Sequence, residues 1–426
     1  MAPAAPEQFF AMPAVPQLPA QDNRGAFTRN MTLPIHRWFR YSAGFSAAWA
    51  ETVIQEAQQD GPVVVLDPFM GSGTTLLAAQ AQGANAIGFE THPLVRRISE
   101  AKLAWDQSAD EFECRATAVL ERSVPRVWTN PPALLAKIYP PATLATLLGL
   151  RHAIEELREE DEIDDLLWLA LIAVLRPCSP VGTAQWQYVL PKKSKAKTAE
   201  PVAAFSAQVR VMTQDMRETP PSIADIRVLS SDARAATDVD TNSIDLVLTS
   251  PPYPNNYDYA DATRIEMTFL GEIKRWADLQ ATVRRHLVRS CSQHMAGYEA
   301  TEALEAPEVA PIRNELIAVY ERLATERENR SGRKAYHSMV AAYFHDLART
   351  WVSLRRVCRS GSVTHFVVGD SAPYAVHVPV ERWLGELALG AGFASWEFEK
   401  LRDRNTKWKN RKHRVPLQEG ILTVLG

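Results

Sequence analysis

The sequence predicts an α/β protein: an open sheet of about seven strands with interleaved helices, interrupted by two helical insertions. Three observations predict it. A strand, a glycine-rich turn, a helix and a second strand follow one another between residues 63 and 90. Short apolar strand segments resume after residue 224, with helical sequence between them. Two long charged stretches, 105–223 and 275–337, carry helical rather than strand rhythm.

The elements follow in order. Residues 1–30 are rich in Pro and Ala and read as a mostly disordered tail. Order is expected from about Leu33, and the second half of Leu33–Ala57 has a helical apolar rhythm. Val63–Leu66 is a buried strand, β-branched and bounded by Gly61 and Pro62. Thr75–Gln82 is a helix that Gly83 stops, and Asn85–Glu90 is a second strand. After the first insertion, strands are expected at Ile226–Arg234 and Ser243–Tyr253. The second insertion precedes a helix at Ser338–Val357, a strand at Val363–Val368 and a helix at Pro379–Leu389. Strands near Trp396–Leu401 and Ile421–Leu425 end the chain. The sheet-forming part is then 31–104 with 224–274 and 338–426.

Composition narrows the classes. The 426 residues are 46% hydrophobic and 23% charged, ordinary for a globular chain of one large or two to three smaller domains. The net charge of −3 leaves no global basic field, so any nucleic-acid surface must be local. Cys114, Cys178, Cys291 and Cys358 are scattered, with no CxxC pair, which argues against zinc and against a disulfide framework. No signal peptide and no membrane-length apolar run is evident, so a cytoplasmic protein is expected.

The glycine turn carries the first chemistry. In "VVVLDPFMGSGTTLLAAQ" the strand ends in Asp67, and Gly71 and Gly73 let backbone come close to a ligand. Asp67 can accept hydrogen bonds from a ligand amine or steer the loop. Glu90 closes the next strand, where an acid can accept both hydroxyls of a ribose. The turn lacks the Lys of a Walker loop and has an acid at its entrance, which would repel a triphosphate. A nucleoside with a cationic amino-acid tail would not be repelled, so the acid favours S-adenosylmethionine over ATP or a nicotinamide cofactor.

"TSPPY" (Thr249–Tyr253) carries the second. Two prolines at the end of an apolar strand stiffen a loop at the edge that also bears Asp67 and Glu90. The exocyclic amine of cytosine or adenine is a poor nucleophile, because its lone pair is delocalised into the ring. Acceptors on its hydrogens, from Ser250 and the Ser250 or Pro251 carbonyl, favour the tetrahedral amine. Tyr253 can stack on a base that has left the helix.

Together "DPFMGSGTT", "GFETHP" and "TSPPY" resemble the S-adenosylmethionine-dependent DNA amino-methyltransferases. The serine in the last motif is similar to the cytosine-N4 branch. The resemblance covers roughly half the chain and implies a Rossmann-like methyltransferase sheet. It implies cofactor contacts from Asp67, Pro68, Phe69, Gly71, Ser72, Gly73, Thr74, Glu90 and Thr249, with Asp232 of "SSDAR" at the adenine end. Phe45 and Ser46, before the glycine motif, are assigned to the methionine end. Ser250, Pro251, Pro252 and Tyr253 are assigned to catalysis, with no metal. The order of the motifs is that of the subgroup with its target-recognition region in the middle, although here one long insertion lies on each side of TSPPY.

The implied partners are double-stranded DNA and a cognate restriction endonuclease. Lys407, Trp408, Lys409, Arg411, Lys412 and Arg414, in the basic run after the last but one strand, are candidates for nucleic-acid contact. Lys192 and Lys193 are further candidates. "TNPPA" (Thr129–Ala133) imitates the catalytic motif without its aromatic, and Cys178 reads as a buried structural thiol. Two rivals stand beside this reading: adenine-N6 methylation of DNA or amine methylation of RNA, and a non-catalytic DNA-binding subunit that keeps the fold.

Overall fold

The computed structural model describes residues 24–182, 195, 197–255, 258–295, 300–330, 334–404 and 415–426. Seven strands form one sheet: β1 Val64–Asp67, β2 Asn85–Phe89, β3 Ile226–Leu229, β4 Ile244–Thr249, β5 Cys358–Gly369, β6 Ser395–Arg404 and β7 Leu417–Leu425. Their order is β3-β2-β1-β4-β5-β7-β6. The first five are parallel, and β7 runs antiparallel between β5 and β6. This is the α/β, Rossmann-like methyltransferase sheet that the motifs imply.

The strand alternation explains both layers. Val65, Leu246, Leu248 and Val367 face one side, packed with the Ala47–Ala57 and Thr74–Ala81 helices. Leu66, Val247, Phe366 and Val368 face the other, against the 22-residue helix Tyr336–Val357 and the helix Val380–Gly390. β1 and β4, buried on both faces, therefore read as continuous apolar runs. The order reverses between β1 and β4, so the crevice at their carboxyl ends is where this architecture takes ligands.

The stretch 105–223 is helical, as its rhythm predicts, and its core is joined by Ile265, Phe269, Leu279 and Val283 from beyond β4. By contrast Val309, Ile312, Leu316 and Leu323 of the second stretch pack into the sheet's own layer. The packing boundary thus falls near residue 283 rather than at 275.

The expected tail also needs correction. Residues 24–30 are packed: the buried Asn30 amide donates to the Phe45 carbonyl, and its oxygen accepts from the Ala47 amide. Arg24 pairs with Glu399 on β6. These contacts are remote in sequence, so composition alone could not show them. Among the described residues no helix is long and apolar enough to cross a membrane.

Candidate active site

At the carboxyl ends of the parallel strands lies a cavity of about 400 Å³. The turn after β1 forms its floor. Gly71 and Gly73 have φ of 52° and 86°, the left-handed region that glycine tolerates. A Cβ on Gly73 would also meet the Ser99 hydroxyl at 2.5 Å, so the turn fits only as glycine.

Asp67 holds this turn. One carboxylate oxygen accepts from the Thr249 hydroxyl at 2.5 Å and from the Phe69 amide at 3.0 Å. The other accepts from the Thr75 hydroxyl at 2.5 Å. Thr249 is thus buried behind the acid and ties the end of β4 to the end of β1. Burial raises Asp67 to about 6 in spite of these donors. Burial raises Glu90 further, to about 7, although the His92 amide donates to it at 2.7 Å.

Asp67, Pro68, Phe69, Gly71, Thr74, Glu90 and Phe45 all line the cavity. Ser72, Gly73 and Thr249 are not in its wall. Ser46 is not either: its side chain caps the Ala47–Ala57 helix by accepting from the Trp49 amide. Asp232 lines the cavity with both carboxylate oxygens gripped by Arg234, at 2.9 and 2.6 Å. Arg234 also pairs with the fully buried Asp346, which Arg289 grips from another segment. That network joins Asp232 to the cavity-lining residues His286, Leu287 and Val288.

The catalytic-motif candidates share the cavity with Glu90. Ser250, Pro252 and Tyr253 line the wall, while Pro251 is buried behind them. Ser250 Oγ lies 3.3 Å from the Val367 carbonyl on β5, to which it donates, and its side chain also meets the Tyr253 phenol in a hydrogen bond. Burial holds the Tyr253 phenol well above its usual range, so it stays neutral.

Several lining residues escaped sequence reading. Gly25–Thr28 form part of the wall, as do Tyr41, Arg402, Arg404 and Glu419. Of these, Arg404 is the first residue of the basic run read from the sequence and Arg402 lies just before it; the β6–β7 hairpin brings both to the cavity. Tyr259 lines the cavity too. Its neighbour Asp258 accepts from Arg284 on one oxygen and meets His294 on the other, in a buried Asp258–Cys291–His294 group.

The remaining candidates fall elsewhere. Lys192 and Lys193, and Lys407, Trp408, Lys409, Arg411, Lys412 and Arg414, lie outside the described residues. TNPPA sits in a loop before the helix Ala133–Ile138, away from the cavity. Cys178 is buried, and burial pushes its thiol up to about 12.

The cavity fits a nucleoside with a cationic tail. It offers the acids Asp67 and Glu90 beside a close-approach glycine turn. Fold and cavity together define a Rossmann-like methyltransferase whose methyl donor is S-adenosylmethionine. Residues 4–101 match the family model described as DNA methylase. The chain is 26% identical over 452 residues to the Type II methyltransferase M.BsoBI of Geobacillus stearothermophilus, covering 93% of this chain and 86% of that protein. It is 24% identical over 399 residues to the Type II methyltransferase M.AvaI of Nostoc sp. (strain PCC 7120 / SAG 25.82 / UTEX 2576), covering 86% and 81%. A 69-residue stretch, 16% of this chain and 15% of the other, is 38% identical to the Type II methyltransferase M.MvaI of Kocuria varians. These matches are what the motifs lead one to expect: the chain is similar to DNA amino-methyltransferases that use S-adenosylmethionine.

Proposed function

We propose that the chain methylates the exocyclic N4 amine of a cytosine flipped out of double-stranded DNA. The observation that carries this is the junction of the two motifs. Thr249 bonds to Asp67, so the TSPPY loop and the glycine turn form one wall, with Ser250 presented beside the cofactor acids. Serine at the head of the loop favours cytosine over adenine by resemblance to the N4 branch.

The roles divide along the cavity. S-adenosylmethionine, when bound, supplies an electrophilic sulfonium methyl that the amine lone pair takes. Glu90 accepts the ribose hydroxyls, and Asp67 fixes the turn and faces the cationic tail. Phe45 and Phe69 supply apolar walls, and Asp232, with its charge neutralised by Arg234, borders the adenine. Ser250 Oγ, held between the Val367 carbonyl and the Tyr253 phenol, accepts one amine hydrogen. The loop carbonyl accepts the other, which localises the lone pair on nitrogen. Pro251 and Pro252 keep the loop rigid, and neutral Tyr253 stacks on the base. The surplus amine proton leaves to water. The relatives' names, each a Type II methyltransferase, support a modification role beside a cognate nuclease.

The test is digestion and nucleoside mass spectrometry of DNA incubated with the protein and isotope-labelled S-adenosylmethionine, beside Ser250→Ala. Labelled N4-methylcytosine, reduced about 100-fold in the variant, is the expected result. Labelled N6-methyladenine would overturn the choice of base.

A further inference from the structure

We propose that Arg404 is a base-contacting residue, gripping the edge of the flipped base and biasing the site toward a pyrimidine carbonyl. This rests on the reading of the cavity as an amine-methylation site.

Four observations place Arg404 there. Its guanidinium lies over the Tyr253 ring, 4.9 Å from the centroid. It donates to the Asp370 carbonyl at 2.7 Å, so it is tethered to the end of β5. Its nearest carboxylate, Glu419, lies 3.8 Å from Nε and is held more closely by Arg402, at 2.5 Å. Two arginines thus share one buried acid, and a positive charge is left over on the target side of the cavity. Finally, β5 ends in Gly369 where Arg404 and Tyr253 meet. A Cβ there would come within 2.7 Å of the guanidinium and 3.1 Å of the tyrosine ring. Glycine is therefore what allows both groups to approach.

A guanidinium over an aromatic platform occupies the layer that a stacked base would enter. A base on that face of Tyr253 meets it edge-on, in the plane where N–H donors are strongest. Cytosine carries a carbonyl, O2, on the same edge as its N4 amine, with N3 between them. A donor at O2 holds the base while leaving the amine to Ser250. Adenine has no carbonyl to offer. The contact discriminates because a buried guanidinium facing no oxygen keeps an unpaired donor.

The experiment uses the full chain, amplified unmodified DNA and labelled S-adenosylmethionine, with Arg404→Met, Arg404→Lys and Gly369→Ala. Methionine is expected to lower kcat/KM for DNA by about 10- to 100-fold, chiefly through KM. Cofactor affinity by calorimetry should stay within about twofold, and lysine should recover part of the loss. Gly369→Ala, which displaces the guanidinium without removing it, should act in the same direction. It decides the matter if Arg404→Met does not fold. Wild-type KM for DNA in these variants overturns the proposal. So does a fall of about one in the slope of log KM against log salt, which would mark a phosphate contact. An equal loss of cofactor binding would mark Arg404 as structural support only. If the wild-type chain labels adenine, the cytosine reading itself has failed and Arg404 falls with it. If it labels cytosine and Arg404→Met matches it, this inference alone has failed.

Discussion

Asp67 and Glu90 are both acids at strand ends, yet they are built for different work. Asp67 is saturated by two hydroxyls and an amide, so its first task is to hold the turn. Glu90 is met by backbone amides alone, from His92, Gly71 and Thr91, has the Asp67 charge beside it, and sits at about 7. At pH 8 it is largely ionised and accepts ribose hydroxyls; below pH 7 it holds a proton that binding must expel. Cofactor affinity should therefore weaken by up to about tenfold per pH unit as pH falls below 7. Asp67, at about 6, adds to the slope lower down. Calorimetry between pH 5.5 and 8.5 reads this, and Glu90→Gln should bind more weakly with a flatter profile. A wild-type profile that is flat down to pH 6 would contradict the assignment.

At the scale of elements, the site is assembled by segments that arrive from opposite ends of the chain. The Gly25–Thr28 wall is anchored by Asn30 to the start of the Ala47–Ala57 helix and by Arg24 to β6. Asn30→Ala removes both buried hydrogen bonds and leaves the Ala47 amide unpaired, at a cost of about 1–3 kcal/mol. The expected outcome is a lower melting temperature and a cofactor affinity reduced several-fold, while Asn30→Asp, which keeps only the acceptor, falls between. Unchanged binding by the folded alanine variant would show that this wall is not part of the cofactor site. The Asp346 carboxylate plays a similar part on the adenine side, where Arg234 and Arg289 converge on it from separate loops.

Across the whole molecule, two apolar layers clamp the sheet while a third core fills the helical lobe. The cysteines report on this packing. Cys114 is exposed on the helix Ala109–Arg122, whereas Cys178, Cys291 and Cys358 are buried and their thiols are pushed up by burial. A thiol reagent at pH 8 should therefore titrate one fast-reacting cysteine in the native chain and four in denaturant. Two or more fast thiols would mean that one of these cores opens readily.

The sequence by itself determined the sheet, the glycine turn, Asp67, Glu90 and the TSPPY loop. Each depends on local periodicity or on residue types at fixed spacing, and both are present in a one-dimensional string. Only the tertiary structure decided that residues 25–28 wall the cavity and that the lobe core recruits Ile265–Val283. It alone brought Arg404 against Tyr253 across Gly369. Those pairings join positions far apart in the chain through a hairpin and a sheet crossing. No propensity or short motif encodes such a meeting, because it exists only once β6 and β7 have paired and carried their side chains to the end of β5.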